Sequence, residues 1–239
     1  GQHYGNITDS FASGDVSLSD NNGSQIGGLV GGFYGGTILR SYAAGDVAGG
    51  SNQVGGLLGY NNTYSTISAS YASGTVTGGA NIGGLVGYTQ GVTIRDSSYR
   101  GTLVQATGGI LGGMVGYSHE SVLIDTGSYV SGADIDGNGA TGGMVGYSRR
   151  QVTISDSSVT SATVSGGVYV GGLVGTAKQG VWINNAYVAG VNSGGATIGT
   201  AVSGSSFVGG LVGEVVGGSI KNAYFDGSVA ATLSNYGGL

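Results

Sequence analysis

The sequence predicts an all-β protein, a right-handed parallel β-solenoid of about eight coils with roughly 28 residues in each coil. Three observations support this prediction. A glycine-rich phrase of five residues recurs at nearly constant spacing along the whole chain. Between its copies lie short segments rich in Val, Ile, Thr and Tyr, separated by Gly, Ser, Asn and Asp, which favour strands and turns respectively. No stretch shows a sustained 3.6-residue period, so we expect essentially no helix.

The recurring phrase, named here the glycine phrase, reads Gly-Gly, then Leu or Met, then Val or Leu, then Gly. Consecutive copies begin 28 to 30 residues apart, except for one interval of 38 residues. Such a fixed period is typical of a solenoid, in which each unit rests on its neighbours. We therefore expect residues 1–239 to form a single repeat domain with a longer insertion at 190–206. The complete copies occupy residues 27–31, 55–59, 83–87, 112–116, 142–146, 171–175 and 209–213.

An isoleucine follows the start of each glycine phrase after 11 or 12 residues. If successive coils stack in register, these isoleucines lie above one another and form the central line of the core. This structural ladder, which Ile7 precedes in the first coil, consists of Ile38, Ile67, Ile94, Ile124, Ile154, Ile183 and Ile220.

The third and fourth residues of the glycine phrase predict two further apolar lines. Adjacent residues of a strand point to opposite faces, so both lines can face the interior only if the backbone turns within the phrase. Two alternatives follow: a corner lies in the phrase, or one line forms an outer apolar stripe suited to lateral packing against another rod. The first line is Leu29, Leu57, Leu85, Met114, Met144, Leu173 and Leu211. The second line is Val30, Leu58, Val86, Val115, Val145, Val174 and Val212.

A tyrosine directly follows the glycine phrase in four successive coils, and we name this set the tyrosine strip. It consists of Tyr60, Tyr88, Tyr117 and Tyr147. Two interpretations are open. In the first, the rings are stacked only to stabilise the edge of the coils; in the second, they form a binding strip for sugars, because aromatic faces suit pyranose rings.

Composition excludes several classes of function. Charged residues make up 8% of the chain, the net charge is −5, and the seven basic residues are scattered, so we expect no nucleic-acid partner. No apolar run approaches the roughly 18 residues of a membrane-spanning helix. The absence of Cys excludes a disulfide framework and a thiolate metal site. We expect no cofactor.

Candidate catalytic and metal-binding residues are few. His119 and Glu120 precede Ser121, but adjacent residues rarely place a nucleophile, a base and an orienting group within reach of one another. Asp134, Asp136 and Asn138 resemble half of a calcium loop, yet the position of the last EF-hand ligand falls on a valine, and a plain turn is the simpler interpretation. We therefore expect neither an enzyme nor a metal site.

The glycine phrase, followed by Thr-Ile-x-x-Ser-Tyr-Ala-x-Gly-x-Val, resembles the GLUG-motif repeat of bacterial surface and adhesin-type proteins. The closest copies run from Thr37 to Val47 and from Thr66 to Val76. The resemblance implies a β-solenoid, an extracellular or cell-surface location and no catalytic residues. Three coils depart from the pattern, because serine stands where tyrosine is usual and in two of them an aromatic residue follows one place later. We expect a local bulge or a shifted register there. The serines are Ser98, Ser128 and Ser158, and the aromatic residues are Tyr99 and Tyr129.

Neither end of the sequence has the polar cap that a solenoid normally needs. An eighth glycine phrase begins at Gly237, and a tail-to-head joint would place Ile7 nine residues after it, about two residues short of the internal spacing. We therefore expect a structural extracellular protein: a slice of the shaft of a bacterial adhesin, or a subunit that forms a filament by joining to itself head to tail, with lateral contact between copies as a further option. The alternative is a module that binds glycans or a cell surface through the tyrosine strip.

Overall fold

The structure is a computed structural model that describes residues 1–18, 24–50, 52–193, 196–198 and 200–238. Throughout these residues the chain forms short β-strands and no helix. Strands of successive coils pair in parallel, so the predicted parallel β-solenoid is confirmed, while its handedness stays a prediction. In the same described ranges, no helix is long and apolar enough to cross a membrane.

Each interior coil has five strand positions, and in some coils two neighbouring positions merge into one longer strand. The first strand leads into the glycine phrase, the second follows it, the third carries the central isoleucine, and the fourth and fifth complete the turn. The second and third strands stack into one sheet, the fourth strands into another, and the fifth and first strands into a third. The coil therefore has three faces around one core.

The strand bounds follow the repeat. First strands are Gln25–Gly27, Gln53–Gly55, Asn81–Gly83, Ile110–Gly112, Thr141–Gly142 and Val170–Gly171. Second strands are Gln2–His3, Val30–Phe33, Val115–Ser118, Val145–Ser148, Val174–Ala177 and Val212–Val215. Third strands are Ile7–Thr8, Gly36–Leu39, Val122–Asp125, Val152–Ser155, Val181–Asn184 and Gly218–Lys221. Second and third strands are continuous in Leu58–Ser68 and Val86–Arg95.

The remaining strands close the coils. Fourth strands are Phe11–Ala12, Tyr42–Ala43, Tyr71–Ala72, Ser98–Tyr99, Tyr129–Ser131, Ser158–Thr160 and Tyr187–Ala189. Fifth strands are Val16–Ser17, Val47–Ala48, Val76–Gly78, Leu103–Ala106, Asp134–Asp136 and Thr163–Ser165. Two long strands, Thr200–Gly209 and Tyr224–Gly237, cover several positions of the last coils.

The predicted insertion contains a small β-hairpin. Strands Val191–Ser193 and Ala196–Ile198 pair antiparallel, unlike every other described pair. Residues 194–195 and 199 of the insertion, and Leu239 of the eighth glycine phrase, lie outside the described residues. The strand that begins at Thr200 already stacks on Thr163–Ser165, so the part of the chain outside the solenoid is shorter than residues 190–206.

The central isoleucines form one continuous line through the solenoid. Each pairs in register with the isoleucine of the next coil, with steps that range from 27 residues between Ile67 and Ile94 to 37 residues between Ile183 and Ile220. From Ile38 to Ile183 their side chains are at most 1% exposed. Burial of aliphatic side chains in such a line is the main stabilising contribution to the stack.

A corner in the glycine phrase explains how both of its apolar lines reach the core. The side chains of Leu57 and Leu58 are both fully buried, and so are the equivalent pairs of the four coils that follow, whereas Leu29 in the preceding coil is only partly buried. The backbone bends at Gly56 and Leu57, and the amides of Leu57 and Leu58 both donate to the carbonyl of Leu85 in the next coil, at 3.1 and 2.8 Å. The corner is therefore the correct alternative, and the glycine phrase leaves no outer apolar stripe.

Steric crowding at this corner explains why the phrase contains glycine. A Cβ atom on Gly55 would lie 2.1 Å from the carbonyl oxygen of Leu58, and one on Gly56 would lie 2.2 Å from the carbonyl oxygen of Gly84. A Cβ atom on Gly59 would lie 2.5 Å from the amide of Ile26. Because each contact is to backbone, no side-chain movement relieves it. Only glycine allows the backbone segments to approach this closely.

A left-handed residue ends the third strand in every coil. It is always the second residue after the central isoleucine, with φ between 47° and 56°. Asp and Asn, which tolerate this conformation better than most residues, occupy five of the eight places. The residues are Asp9, Arg40, Ala69, Asp96, Thr126, Asp156, Asn185 and Asn222.

A line of buried serines follows these left-handed residues. The hydroxyl of Ser70 donates to the carbonyl of Ser68 in its own coil at 2.7 Å and accepts the amide of Ser41 from the preceding coil at 3.0 Å. The same pattern links Ser70 to Ser97 at 3.1 Å. The hydroxyls thus satisfy backbone groups that the turn removes from the strand ladder.

Candidate functional site

The tyrosine strip lies at the second strands, directly after the buried corner. Register places Tyr60, Tyr88, Tyr117 and Tyr147 one above another, and all four side chains are half-buried. Their ring centroids are 5.2, 5.1 and 5.3 Å apart in successive coils, with interplanar angles of 22°, 10° and 9°. The four rings therefore form a nearly parallel stack along the axis of the solenoid.

This stack covers the ring faces that a pyranose would need. Both faces of Tyr88 and of Tyr117 lie against neighbouring tyrosines, so solvent reaches mainly the ring edges and hydroxyls. Burial raises the pKa of the Tyr60, Tyr88 and Tyr117 phenols above the ordinary value, and these groups stay protonated at neutral pH. The strip therefore offers a line of hydroxyls rather than open aromatic faces.

Polar and charged groups flank the strip. The hydroxyl of Tyr60 donates to Oδ1 of Asn62 at 2.7 Å. Further along, Nη1 of Arg149 lies 3.0 Å from Nε2 of His119. Glu120 lies between two partners, because its carboxylate is 3.4 Å from Nδ1 of His119 and 3.4 Å from Nε of Arg150. The contacts of Arg149 with His119 and of Arg150 with Glu120 connect adjacent coils, and the side chains of Arg150 and Glu120 are partly exposed.

A second aromatic line runs along the fourth strands, and we name it the fourth-strand row. Its rings stack at both ends, with centroids 4.8 Å apart between Tyr42 and Tyr71 and 5.1 Å apart between Tyr187 and Tyr224. In order along the solenoid it contains Phe11, Tyr42, Tyr71, Ser98, Tyr129, Ser158, Tyr187 and Tyr224.

An arginine fills one gap in the fourth-strand row. Ser98 has no aromatic ring, and the guanidinium of Arg100 occupies the space beside it. The guanidinium lies 4.8 Å from the ring centroid of Tyr71 and 5.4 Å from that of Tyr129. Its Nε donates to the hydroxyl of Ser98 at 2.8 Å. The cation is therefore held between two aromatic faces, an arrangement that the sequence patterns did not predict.

The structure shows which residues of the serine-containing coils belong to the fourth-strand row, where the sequence predicted a bulge or a shifted register. Tyr129, and not Ser128, pairs with Ser98 in the fourth-strand row, because one extra residue separates Asp125 from this strand. The predicted shift in register is thus confirmed in that coil. The prediction of a shifted register is wrong for the coil of Tyr99. Tyr99 keeps the regular register, because it pairs with Ala72, and its side chain is fully buried. Burial raises the pKa of the Tyr99 phenol, whose hydroxyl donates to the carbonyl of Leu103 at 2.6 Å.

The other candidate residues lie in ordinary structural contacts. The hydroxyl of Ser118, rather than that of Ser121, contacts the backbone beside His119, where it donates to the carbonyl of Glu120 at 2.6 Å. In the candidate calcium loop of Asp134, Asp136 and Asn138, the Oδ1 atom of Asp136 accepts a hydrogen bond from the hydroxyl of Ser165 at 2.7 Å. Across the described ranges, no group of three or more His, Cys, Asp or Glu side chains is arranged to hold a metal ion.

Comparison with known families identifies the repeat. A family model described as the GLUG motif matches residues 50–77 and 204–230. The chain contains the GLUG motif. Each GLUG match spans one coil, including the glycine phrase, the central isoleucine and the tyrosine of the fourth-strand row. No curated protein and no solved structure gives a significant match to the chain.

GLUG coils stacked into a β-solenoid fit a structural repeat protein. The residues of the motif occupy the corner, the core line, the serine line and the fourth-strand row, and all of these hold one coil against the next. The left-handed residues escaped sequence reasoning, although the recurrence of Asp and Asn two places after the isoleucine was a usable signal.

Proposed function

We propose that this chain is a rigid rod segment of an extracellular bacterial filament or adhesin shaft, with a structural and not a catalytic role. One observation carries the proposal. The strand register continues from the first coil to the last, so that residues of each line stack along the whole chain. A rod built in this way keeps its two ends at a fixed separation for as long as its coils stay stacked.

The end coils support assembly in the direction of the rod. Ile220 is 39% exposed in the last coil, whereas Ile94 of the same line is fully buried. At the opposite end, Phe11 is 63% exposed. One more coil, from another copy or from further chain, would cover these side chains and pair the free strand edges. Such a contact joins unlike faces and does not close, so copies joined in this way would form a fibre.

The few charged residues are used between coils. Arg40 pairs with Asp9 at 2.6 Å and Arg95 with Asp125 at 3.1 Å, and in both cases the partner lies in a neighbouring coil. Exposed pairs of this kind contribute little to the free energy of unfolding, because water and salt screen the two charges. The two ion pairs align charged side chains of neighbouring coils along the surface. This arrangement supports a structural role of the charged residues and not a role in acid–base catalysis.

Glycan binding through the tyrosine strip is the alternative function. The covered faces of Tyr88 and Tyr117 count against stacking of a sugar on the strip, so a glycan would have to bind the hydroxyl edge beside Arg149. A glycan array tests this alternative. Saturable binding that is lost when the four strip tyrosines are replaced by alanine would favour it over the structural role.

Electron microscopy of the purified chain over a range of concentrations tests the main proposal. Long uniform fibres that lengthen with concentration would establish assembly end to end. Short rods at every concentration would support a segment of an adhesin shaft, and irregular or globular particles would contradict the rod itself.

A matched pair of variants tests which surface makes the contact. Ile220→Lys places a charge on the exposed end coil, whereas Thr93→Lys places one on the side of an interior coil. If fibres grow by end contacts, only Ile220→Lys should shorten them. Equal effects of the two charges would indicate lateral association instead.

A further inference from the structure

The fourth-strand row contains two places where a serine separates two tyrosines. Ser98 lies between Tyr71 and Tyr129, and Ser158 lies between Tyr129 and Tyr187. In both places the tyrosines are two coils apart, roughly 9.6 Å at the usual strand spacing, which leaves room for one planar group between the rings. The chain fills the first place with its own Arg100.

The two places are built alike. Residues 96–98 and 156–158 both read Asp-Ser-Ser, and the aspartates have φ values of 47° and 48°. Two residues after the second serine, Arg100 of the first coil is replaced by Thr160, which has no cationic or planar group to place between the rings. Among the described residues, no aromatic or cationic side chain stacks on the ring faces of Tyr129 and Tyr187 that border Ser158.

We propose that the slot formed by Tyr129, Ser158 and Tyr187 binds a guanidinium group, the arginine side chain of a partner protein. Arg100 shows which chemistry this geometry accepts, because its planar cation lies between two tyrosine faces. Its Nε also donates to the hydroxyl of Ser98 at 2.8 Å, and Ser158 supplies a hydroxyl at the equivalent place. Both tyrosines of the slot are half-buried and keep part of their surface in solvent.

The surroundings of the slot favour a cationic side chain from outside. Asp156, which lies two residues before Ser158, is exposed and accepts Nδ2 of Asn185 at 2.5 Å. The hairpin that begins at Val191 leaves the solenoid four residues after Tyr187. Insertions in repeat proteins often mark the binding face, and the slot lies close in sequence to such an insertion.

Titration with ethylguanidinium, followed by NMR of chain labelled with ¹³C in its tyrosine rings, tests the slot. We expect saturable shifts of the Tyr129 and Tyr187 ring signals, with the Tyr117 signal as an internal reference for unspecific effects. Sodium chloride at equal ionic strength is the salt control. Shifts of Tyr129 and Tyr187 no larger than that of Tyr117 would overturn the proposal.

Three variants make the test specific to the slot. Thr160→Arg should supply an internal guanidinium, and Ser158→Tyr should complete the aromatic row, so each should abolish the response without unfolding the chain. Arg100→Ala should open the equivalent place at Ser98, and the Tyr71 signal should then respond as well. A response that survives both Thr160→Arg and Ser158→Tyr would show that the cation binds elsewhere, and the proposal would fail.

Discussion

The backbone amide of Ser41 donates its hydrogen bond to the hydroxyl of Ser70 in the next coil, at 3.0 Å. A side chain here replaces the carbonyl that a strand neighbour would normally provide. The replacement is needed because the left-handed residues Arg40 and Ala69 turn the backbone just before these serines. One hydroxyl per coil thus keeps the turn hydrogen-bonded inside the protein.

Ser70→Ala should therefore destabilise the solenoid by about 1–3 kcal/mol, because it leaves the buried amide of Ser41 without an acceptor. Denaturant unfolding followed by circular dichroism measures the change. Ser68→Ala is the matched control, since the Ser68 side chain is half-buried and contributes only its carbonyl to the line. Equal effects of the two substitutions would show that the hydroxyl is dispensable.

Ile94→Asp should disrupt a central coil. The side chain of Ile94 is fully buried among isoleucines of the neighbouring coils, and an unpaired carboxylate there costs several kcal/mol or forces the coil to open. Thr93→Asp places the same charge one residue earlier, on a half-buried position. Thermal unfolding should shift strongly for Ile94→Asp and weakly for Thr93→Asp. An unchanged transition in the first variant would contradict the stacked core.

Gly113→Ala tests the crowded corner. Its Cβ atom would lie 2.1 Å from the carbonyl oxygen of Gly143, and the backbone of two coils would have to separate. We expect a loss of about 1–3 kcal/mol or more. At Gly14 an added Cβ meets nothing within 4 Å, so Gly14→Ala should change the unfolding free energy by less than about 0.5 kcal/mol. Calorimetry of both variants checks the contrast.

The stability of the last coils should depend on pH through Glu214. Its carboxylate accepts hydrogen bonds from Lys178 and from the hydroxyl of Thr176, and the bond from Lys178 lowers its pKa below the ordinary value of 4.5. Because the folded pKa is the lower one, this stabilisation is present above about pH 4.5 and is lost as the pH falls through the folded pKa. Both side chains are partly exposed, so the effect should stay below about 1 kcal/mol.

Unfolding temperatures at pH 7 and pH 3 measure this dependence. Glu214→Gln should lower the temperature slightly at pH 7, and its difference from the native chain should shrink as the pH falls through the lowered pKa of the folded carboxyl. If the unfolding temperatures of the variant and the native chain differ by the same amount at pH 7 and at pH 3, the ion pair of Glu214 and Lys178 contributes nothing to stability.

The stacked architecture was predictable because glycine is the only residue that the corner tolerates. Every coil must repeat Gly55, Gly56 and Gly59 or their equivalents, and their spacing alone aligns the coils. Once the coils are aligned, the isoleucine line and the tyrosine strip follow from counting. The corner itself did not follow, because two adjacent apolar residues such as Leu57 and Leu58 are compatible in sequence with either a bend or an outer stripe, and only their burial in the structure decides between the two.

The alignment obtained by counting residues from the central isoleucine is wrong in the coil that contains an additional residue. Gly127 lengthens the turn before the fourth strand, and Tyr129 therefore takes the place that Ser128 occupies by simple offset. The position of Arg100 was beyond any periodic argument, since its guanidinium stacks on residues of two other coils, Tyr71 and Tyr129. Side-chain direction across coils depends on three-dimensional packing and leaves no signal in a one-dimensional pattern.

The paired amides at each corner have a mechanical consequence. Leu57 and Leu58 bond to Leu85, and Leu85 and Val86 bond to Met114, so a coil is held by the next coil and not by itself. Tension on one end should then peel coils away singly, each releasing about 30 residues and lengthening the chain by roughly 100 Å. A shaft of such coils would yield under a sudden pull and absorb work, while the coils still stacked keep their shape.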